Sequence, residues 1–334
     1  MVMTLTKEMR LYESVNAVSR QCPYMPKETE NEIRRRLWWA SFQVDVKSSA
    51  VAGRPSSINL SMCRVPLPYP DESLIDPTIK LPAKEEALQI ATFSSPSLLT
   101  PPIPIKGEQG FLLALLRIHR QINEFNLQYF SSNKASKEGR ELALAQLDAS
   151  LKTWFDSLPE EYKSLSPAQF VKGHELSTMP WPALFLHLFY QTAIVMLHKH
   201  VIKKLVHSLL ESKSMDIAMA DSGALPCLLA LHSVTSLLTL ALSVNPELLF
   251  ITAYSGHCIY ETGLIHVELG KAMPGTPFAE RHFAHLDVHL SALKALGKYW
   301  VMPAFKMCGY LKDMRDKMKT ESLGPSVTPP AITN

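Results

Sequence analysis

Residues Glu32 to Pro68 read EIRRRLWWASFQVDVKSSAVAGRPSSINLSMCRVPLP and join an arginine-led aromatic helix to a Gly-Arg-Pro turn and a proline-bounded extended strip. Asn31 stands where it can cap the helix, with Glu32 in the first turn, where a carboxylate meets the positive end of the helix dipole. Ile33, Leu37, Trp38, Phe42 and Val46 follow at spacings of three to five residues and are expected to be buried. Apolar residues on more than one side place this helix inside a helical assembly. Gly53 permits a turn and Pro55 prevents the helix from continuing, while Pro66, Pro68 and Pro70 keep the next residues extended.

Hydrophobic periodicity continues in the same register along most of the chain. Met3 to Cys22 reads as an amphipathic helix through Met9, Tyr12 and Val15. Residues 71–106 are rich in Pro, Ser and Thr and read as a long surface loop with one short helix near Lys84 to Thr92. Gln109 to Ser131 resumes helical spacing through Leu112, Leu115, Leu116, Ile122 and Phe125. Lys137 to Leu158 sets Leu144, Leu147, Leu151, Trp154 and Leu158 at alternating steps, a stripe that fits internal packing better than a partner's helix. Further buried helices are expected at Ala183 to about Lys204, Cys227 to Ser243, Leu249 to Leu269, Glu280 to Met302 and Pro303 to Lys319. No strand alternation and no internal repeat appears. The expected fold is all-α, a large multi-helix bundle with one long Pro/Ser-rich loop.

The signature segment resembles the fungal transcription-factor regulatory domain, the middle homology region of fungal binuclear zinc-cluster transcription factors, of the xylanolytic-activator type. Glu32, Arg34, Arg35, Arg36, Leu37, Trp38 and Trp39 match its acidic, arginine-rich, double-tryptophan helix, and Asp45 matches its later acidic position. Gly53, Arg54 and Pro55 match its turn, and Val65 to Pro68, with Pro66 and Pro68, match its ending. LKTWFDSLPEEY and ALFLHLFYQTAIVMLHKHV extend the resemblance more weakly to about Lys204. The resemblance divides the chain into a signature-bearing part at 1–70, the loop at 71–106, a helical continuation of the same domain at 107–319 and a disordered tail at 320–334.

Composition narrows the chemistry. The chain has 334 residues, 46% apolar and 19% charged, as globular proteins do, and its net charge of +3 is too mild to mark a nucleic-acid surface. Five scattered cysteines, Cys22, Cys63, Cys227, Cys258 and Cys308, form no CxxC pair and read as reduced thiols. Leu225 to Leu242 is apolar enough to raise a membrane span, but Pro226, His232 and several Ser and Thr residues favour a buried helix. No GxSxG elbow, GK[ST] phosphate loop or GxGxxG fingerprint is present, and Glu160 and Glu161 lie in a solvated setting, so no catalytic residue is assigned.

Two clusters invite sharper readings. Arg34, Arg35 and Arg36 could bind phosphate, yet Glu28, Glu30 and Glu32 offset them, and internal ion pairing fits better, with Asp45 a candidate partner for one arginine or for Arg54. His282, His285 and His289 share one helical face and could ligate zinc, but no HExxH-type support accompanies them, so ordinary interhelical histidines are expected and no metal ligand is assigned. His198 and His200 point to opposite sides of their helix.

The resemblance implies a transcriptional regulator of RNA polymerase II genes in the nucleus. It implies no cofactor in these residues, zinc belonging only to a six-cysteine cluster that they lack. DNA would be contacted only through that missing N-terminal cluster, the chain being a gene-model fragment or a shortened form. A small-molecule effector or protein co-regulator is implied as partner, with no membrane association; oligomeric state, target genes and direction of regulation stay open. The alternatives are a helical ligand-binding protein or enzyme without a recognisable motif, or a membrane-associated helical protein.

Overall fold

The structure, a computed structural model, describes residues 27–59, 65, 67–68, 107–130, 136–163, 181–212, 214, 219, 223–249 and 252–322. The helix expected at Met3 to Cys22, the loop at 71–106 with its short helix, Pro66 and most of the expected tail lie outside the described residues. Among the described residues regular structure is helical, with no strand. The chain forms two compact units, Met1–Ser164 and Leu165–Asn334.

In the first unit, α1 spans Lys27–Val51, α2 Gly107–Phe130, α3 Lys137–Asp156 and α4 Glu160–Lys163. The α1 helix begins ahead of Asn31, so Asn31 lies inside it rather than at its cap. Glu30 in its opening turn suits the positive helix end. Its packing is one-sided: Trp38, Trp39, Phe42 and Val46 are buried, whereas Ile33 and Leu37 are 41% and 45% exposed. Ile33, Leu37 and exposed Val44 lie along one line of the helix, opposite the tryptophan face, so the expectation that Ile33 and Leu37 belong to the core is corrected.

The α2 helix buries Phe111, Leu113, Leu115, Leu116, Ile118, Ile122 and Phe125. The α3 helix is capped by Ser136, whose hydroxyl accepts from the Gly139 N–H. It buries Leu147, Leu151 and Trp154, with Leu158 just beyond, and the Trp154 Nε1–H donates to the Phe111 carbonyl of α2 at 3.0 Å. The leucine–tryptophan stripe is therefore internal core of this unit. A buried indole needs such an acceptor, because an unmade hydrogen bond there costs about 1–3 kcal/mol.

In the second unit, α5 spans Trp181–Ser212, α6 Leu225–Val244, α7 Ala253–Ala272, α8 Pro277–Leu296 and α9 Val301–Ser322, with a 3₁₀ turn at Pro246–Leu249 between α6 and α7. Local chemistry shifts the boundaries from those expected. Pro246 follows the end of α6, and Thr252 caps α7 by accepting from the Tyr254 N–H. Thr276 caps α8 at the Ala279 N–H with Pro277 following, where its missing N–H is not needed, and Gly297 closes the helix. Pro303 sits in the first turn of α9 for the same reason, so α9 starts before it.

Val195, Ile202, Leu205 and Leu209 of α5, Cys227, Ala230 and Leu231 of α6, and Ile265 and Leu269 of α7 form one apolar core. Gly256, Gly263 and Gly270 recur at heptad spacing along α7 and let α8 and α9 approach closely. A Cβ at Gly270 would lie 2.7 Å from the Phe283 ring, and one at Gly263 would lie 2.9 Å from a Leu311 methyl. The α6 helix is long and apolar enough to cross a membrane by length and composition. It nevertheless buries Cys227, Ala230, Leu231, Val234, Thr235, Leu238 and Ala241 within this unit, and its remaining surface mixes exposed Leu229 with His232 and Ser236.

Candidate functional site

Two arrangements bring functional residue types together, one in each unit. In the first unit, Glu32 is fully buried and its carboxylate accepts from Arg35 Nη1 and Arg36 Nε, both at 2.9 Å. Helical geometry sets this up, since residues three and four apart share a face. One buried carboxylate pairs with both guanidinium groups, offsetting one of their two charges and committing both to an internal contact. Arg34 is half-buried. Trp39 meets Phe42 edge-on at 5.5 Å between ring centres.

The Gly-Arg-Pro turn has a specific physical origin. Gly53 adopts φ +60°, the left-handed region that glycine enters without a Cβ penalty. The Gly53 N–H donates to Ala50 O at 3.2 Å and the Arg54 N–H to Ser49 O at 3.0 Å, the paired bonds of a Schellman helix end. Pro55 then blocks further helix. Asp45, only 6% exposed, aims Oδ2 at the residues just past the turn, accepting from the Ser56 hydroxyl and from the Ser57 and Ile58 N–H groups, the latter two at 2.8 Å.

Arg54 Nη1 stands 3.9 Å from Asp45 Oδ1 and also donates to the Pro55 carbonyl and Ser57 Oγ at 3.2 Å. The Asp45 carboxylate thus holds backbone first and the Arg54 charge second. Two residues that the sequence did not single out complete the clamp. Arg120 Nη1 donates to Ile58 O at 2.7 Å, and Asn123 Nδ2 donates to Arg54 O at 2.9 Å, both from α2. Val65 is buried and Pro68 half-buried. Among the described residues, the polar groups of this block are engaged with one another and with the backbone.

The second arrangement is a histidine cluster built by α6, α7 and α8. His282, His285 and His289 share a face of α8 as their spacing implies, and α7 brings His266 against them. His266 Nδ1 lies 2.9 Å from His282 Nδ1. Its Nε2 lies 3.1 Å from Thr235 Oγ1 of α6, which itself donates to the Leu231 carbonyl at 3.2 Å. With that hydroxyl proton committed, Thr235 accepts from His266 Nε2–H, leaving the lone pair of His266 on Nδ1.

Across the face, His289 Nδ1 meets the His285 carbonyl at 2.9 Å and its Nε2 meets Thr262 Oγ1 at 3.1 Å. His232 of α6 places its ring 5.9 Å from that of His285 on the solvent side.

One ring nitrogen from each of His266, His282 and His285 lies within 4.8 Å of the others. Burial holds these groups neutral: it pushes His282 and His289 down to about 4, His266 well below the usual imidazole range, and His285 in the same direction, with neighbouring imidazoles adding to the effect on each. Neutral imidazoles carry the lone pairs that metals take. His266 was not legible as a member, since a single histidine in a buried helix carries no spacing signal. His198 and His200 sit apart from this cluster on α5, their ring centres 6.5 Å from each other.

Among the described residues the cysteines give no comparable site. Cys227 and Cys258 are buried, and burial pushes the Cys227 thiol up to about 12, which keeps it protonated. Among the described residues the one metal-type grouping is the histidine trio, so the thiolate zinc cluster implied by the resemblance finds no fit there.

The first unit is thus an all-α assembly whose signature helix ends in a clamped Gly-Arg-Pro turn. Residues 1–156 match the family model described as the fungal specific transcription factor domain, and this part of the chain carries that domain. The match ends at the last residue of α3, near the close of the first compact unit. Over 266 residues, 80% of this chain and 28% of the relative, the sequence is 24% identical to the acetamidase regulatory protein of Aspergillus fumigatus. The chain therefore spans little more than a quarter of the length of that curated relative. No solved structure matches the chain.

Proposed function

We propose that this chain is the regulatory part of a transcription regulator acting in the nucleus, and that the DNA-reading function belongs to a zinc-cluster segment outside these residues. The observation that carries the reading is the fungal specific transcription factor domain over residues 1–156, which includes the whole Glu32 to Pro68 signature. Similarity to a protein named as a regulatory protein supports it over most of the chain.

On this reading the signature residues serve architecture. Glu32 holds Arg35 and Arg36 in internal ion pairs, and Asp45, Arg120 and Asn123 fix the strip after Gly53. Regulation then resides in the helical body from 107 to 319, where a small molecule or protein partner can bias one packing over another by binding it more tightly. The alternative of an enzyme draws no support from the clamp, whose polar groups are engaged with one another.

Deletion of the gene encoding the chain, followed by transcript profiling, tests the proposal. The expected result is altered expression of a limited gene set that re-expression restores; an unchanged transcriptome in every growth condition where the protein is made contradicts it.

A further inference from the structure

Beyond a regulatory role, the second unit carries a constellation with a chemistry of its own. His266 of α7 and His282 and His285 of α8 converge from two helices joined by the short turn around Gly275. Three features set them apart from ordinary interhelical histidines. Their ligand atoms lie within 4.8 Å of one another, close enough for small side-chain shifts to bring all three onto one ion. The buried Nδ1 of His285 has no hydrogen-bond partner among the described residues. His266 is held from behind by Thr235, which orients its ring and keeps the Nδ1 lone pair toward His282, the arrangement that supports metal-ligating histidines.

We propose that His266, His282 and His285 form a binding site for a divalent transition-metal ion of the zinc class. The donor set decides the class: imidazole nitrogens suit zinc and its late first-row neighbours, and the absence of carboxylate or carbonyl donors from the trio disfavours calcium and magnesium. His266 Nδ1 and His282 Nδ1 share a proton at 2.9 Å, whereas two nitrogens on a tetrahedral zinc stand about 3.3 Å apart for Zn–N bonds of about 2.0–2.1 Å.

Metal entry requires the pair to open by a few tenths of an ångström and the His282 proton to move to its other ring nitrogen. Coordination releases no proton, because all three imidazoles enter neutral. His232 stands beside His285 and is exposed, so it or water is available to complete the sphere. Bound there, the ion cross-links α7 to α8 and stabilises the second unit by mass action. This inference stands on the second unit alone and is independent of the transcriptional reading.

The test uses the full chain stripped with a chelator, titrated with Zn²⁺ by calorimetry and with Co²⁺ by visible absorption. The expected result is one ion per chain, with the intense visible bands of four-coordinate Co²⁺ and a higher Tm in Zn²⁺. His285→Gln and His282→Gln should each weaken binding by at least about 10–100-fold, and Thr235→Val, which removes only the support of His266, by about 10-fold or more. His207→Gln, at an exposed pair with Glu211, should change nothing. His285 is only half-buried, so its variant keeps the test valid if His282→Gln fails to fold. A stripped wild-type chain that binds no ion, or a folded His285→Gln protein that binds with wild-type affinity and spectrum, would overturn the site.

Discussion

Asp45 and Ile58 are joined by a 2.8 Å hydrogen bond from the Ile58 N–H to the buried Asp45 carboxylate, and this bond ties the strip after the Gly-Arg-Pro turn to the helix before it. The same oxygen accepts from Ser57 N–H and from the Ser56 hydroxyl, so one side chain satisfies three donors. Arg54, by contrast, is half-exposed and 3.9 Å from the carboxylate. Asp45→Ala should therefore cost about 3 kcal/mol, since hydrogen bonds to a charged group contribute about 1.5–3 kcal/mol and the Ile58 N–H is left buried without an acceptor. Arg54→Met should cost less than about 1 kcal/mol, as exposed ion pairs do. Urea unfolding of the two variants measures both, and equal losses would restore the ion pair as the main contact.

Glu32 presents the opposite balance. It is buried against Arg35 and Arg36, and Arg35 is itself buried. Glu32→Gln keeps the shape but leaves two guanidinium groups facing a neutral amide, and breaking a buried pair from one side costs about 3–5 kcal/mol. Chemical denaturation should show a loss in this range at pH 7; a loss under about 1 kcal/mol would mean that the arginines are compensated elsewhere.

The glycine row of α7 makes a graded prediction. Gly270→Ala drives a methyl into the Phe283 ring, and the expected cost is about 1–3 kcal/mol. Gly309→Ala in α9 meets nothing within 4 Å and should stabilise by about 0.5–1 kcal/mol through helix propensity. Thermal melts of the pair should move in opposite directions.

In chelator-stripped protein, acid should weaken the second unit before it touches the carboxylates. Burial lowers His282 and His289 to about 4 in the folded chain, against about 6.5 when unfolded. Their stabilising contribution is complete above pH 6.5. It falls as pH drops, because the unfolded chain takes up protons that the native chain refuses, with a slope of up to about 1.4 kcal/mol per pH unit for each histidine. Below about pH 4 the slope from this pair ends. Melting temperatures between pH 7.5 and 4 check the sign, and a flat profile would show these histidines titrating normally.

Much of this was legible from the chain. Helical periodicity located most of the described helices, and the glycine and proline of the turn foretold its break, because local backbone chemistry is written locally. The exposure of Ile33 and Leu37 was not, since a 3.6-residue period says which residues share a face but not which face finds a partner. The role of Arg120 and Asn123 was hidden because each reaches from α2 to a carbonyl far away in sequence. His266 was hidden for the same reason. His282, His285 and His289 announced a face by spacing, but only the packing of α7 on α8 gives that face a fourth imidazole.

The most direct measurement of the central claim is transcription from a reporter carrying sites for an unrelated DNA-binding domain fused to the full chain. The account predicts that the fusion shifts reporter output several-fold from that of the DNA-binding domain alone, upward or downward, at equal protein level and in the nucleus. Reporter output indistinguishable from the DNA-binding domain alone, across growth conditions and with the fusion shown to be folded, would contradict it.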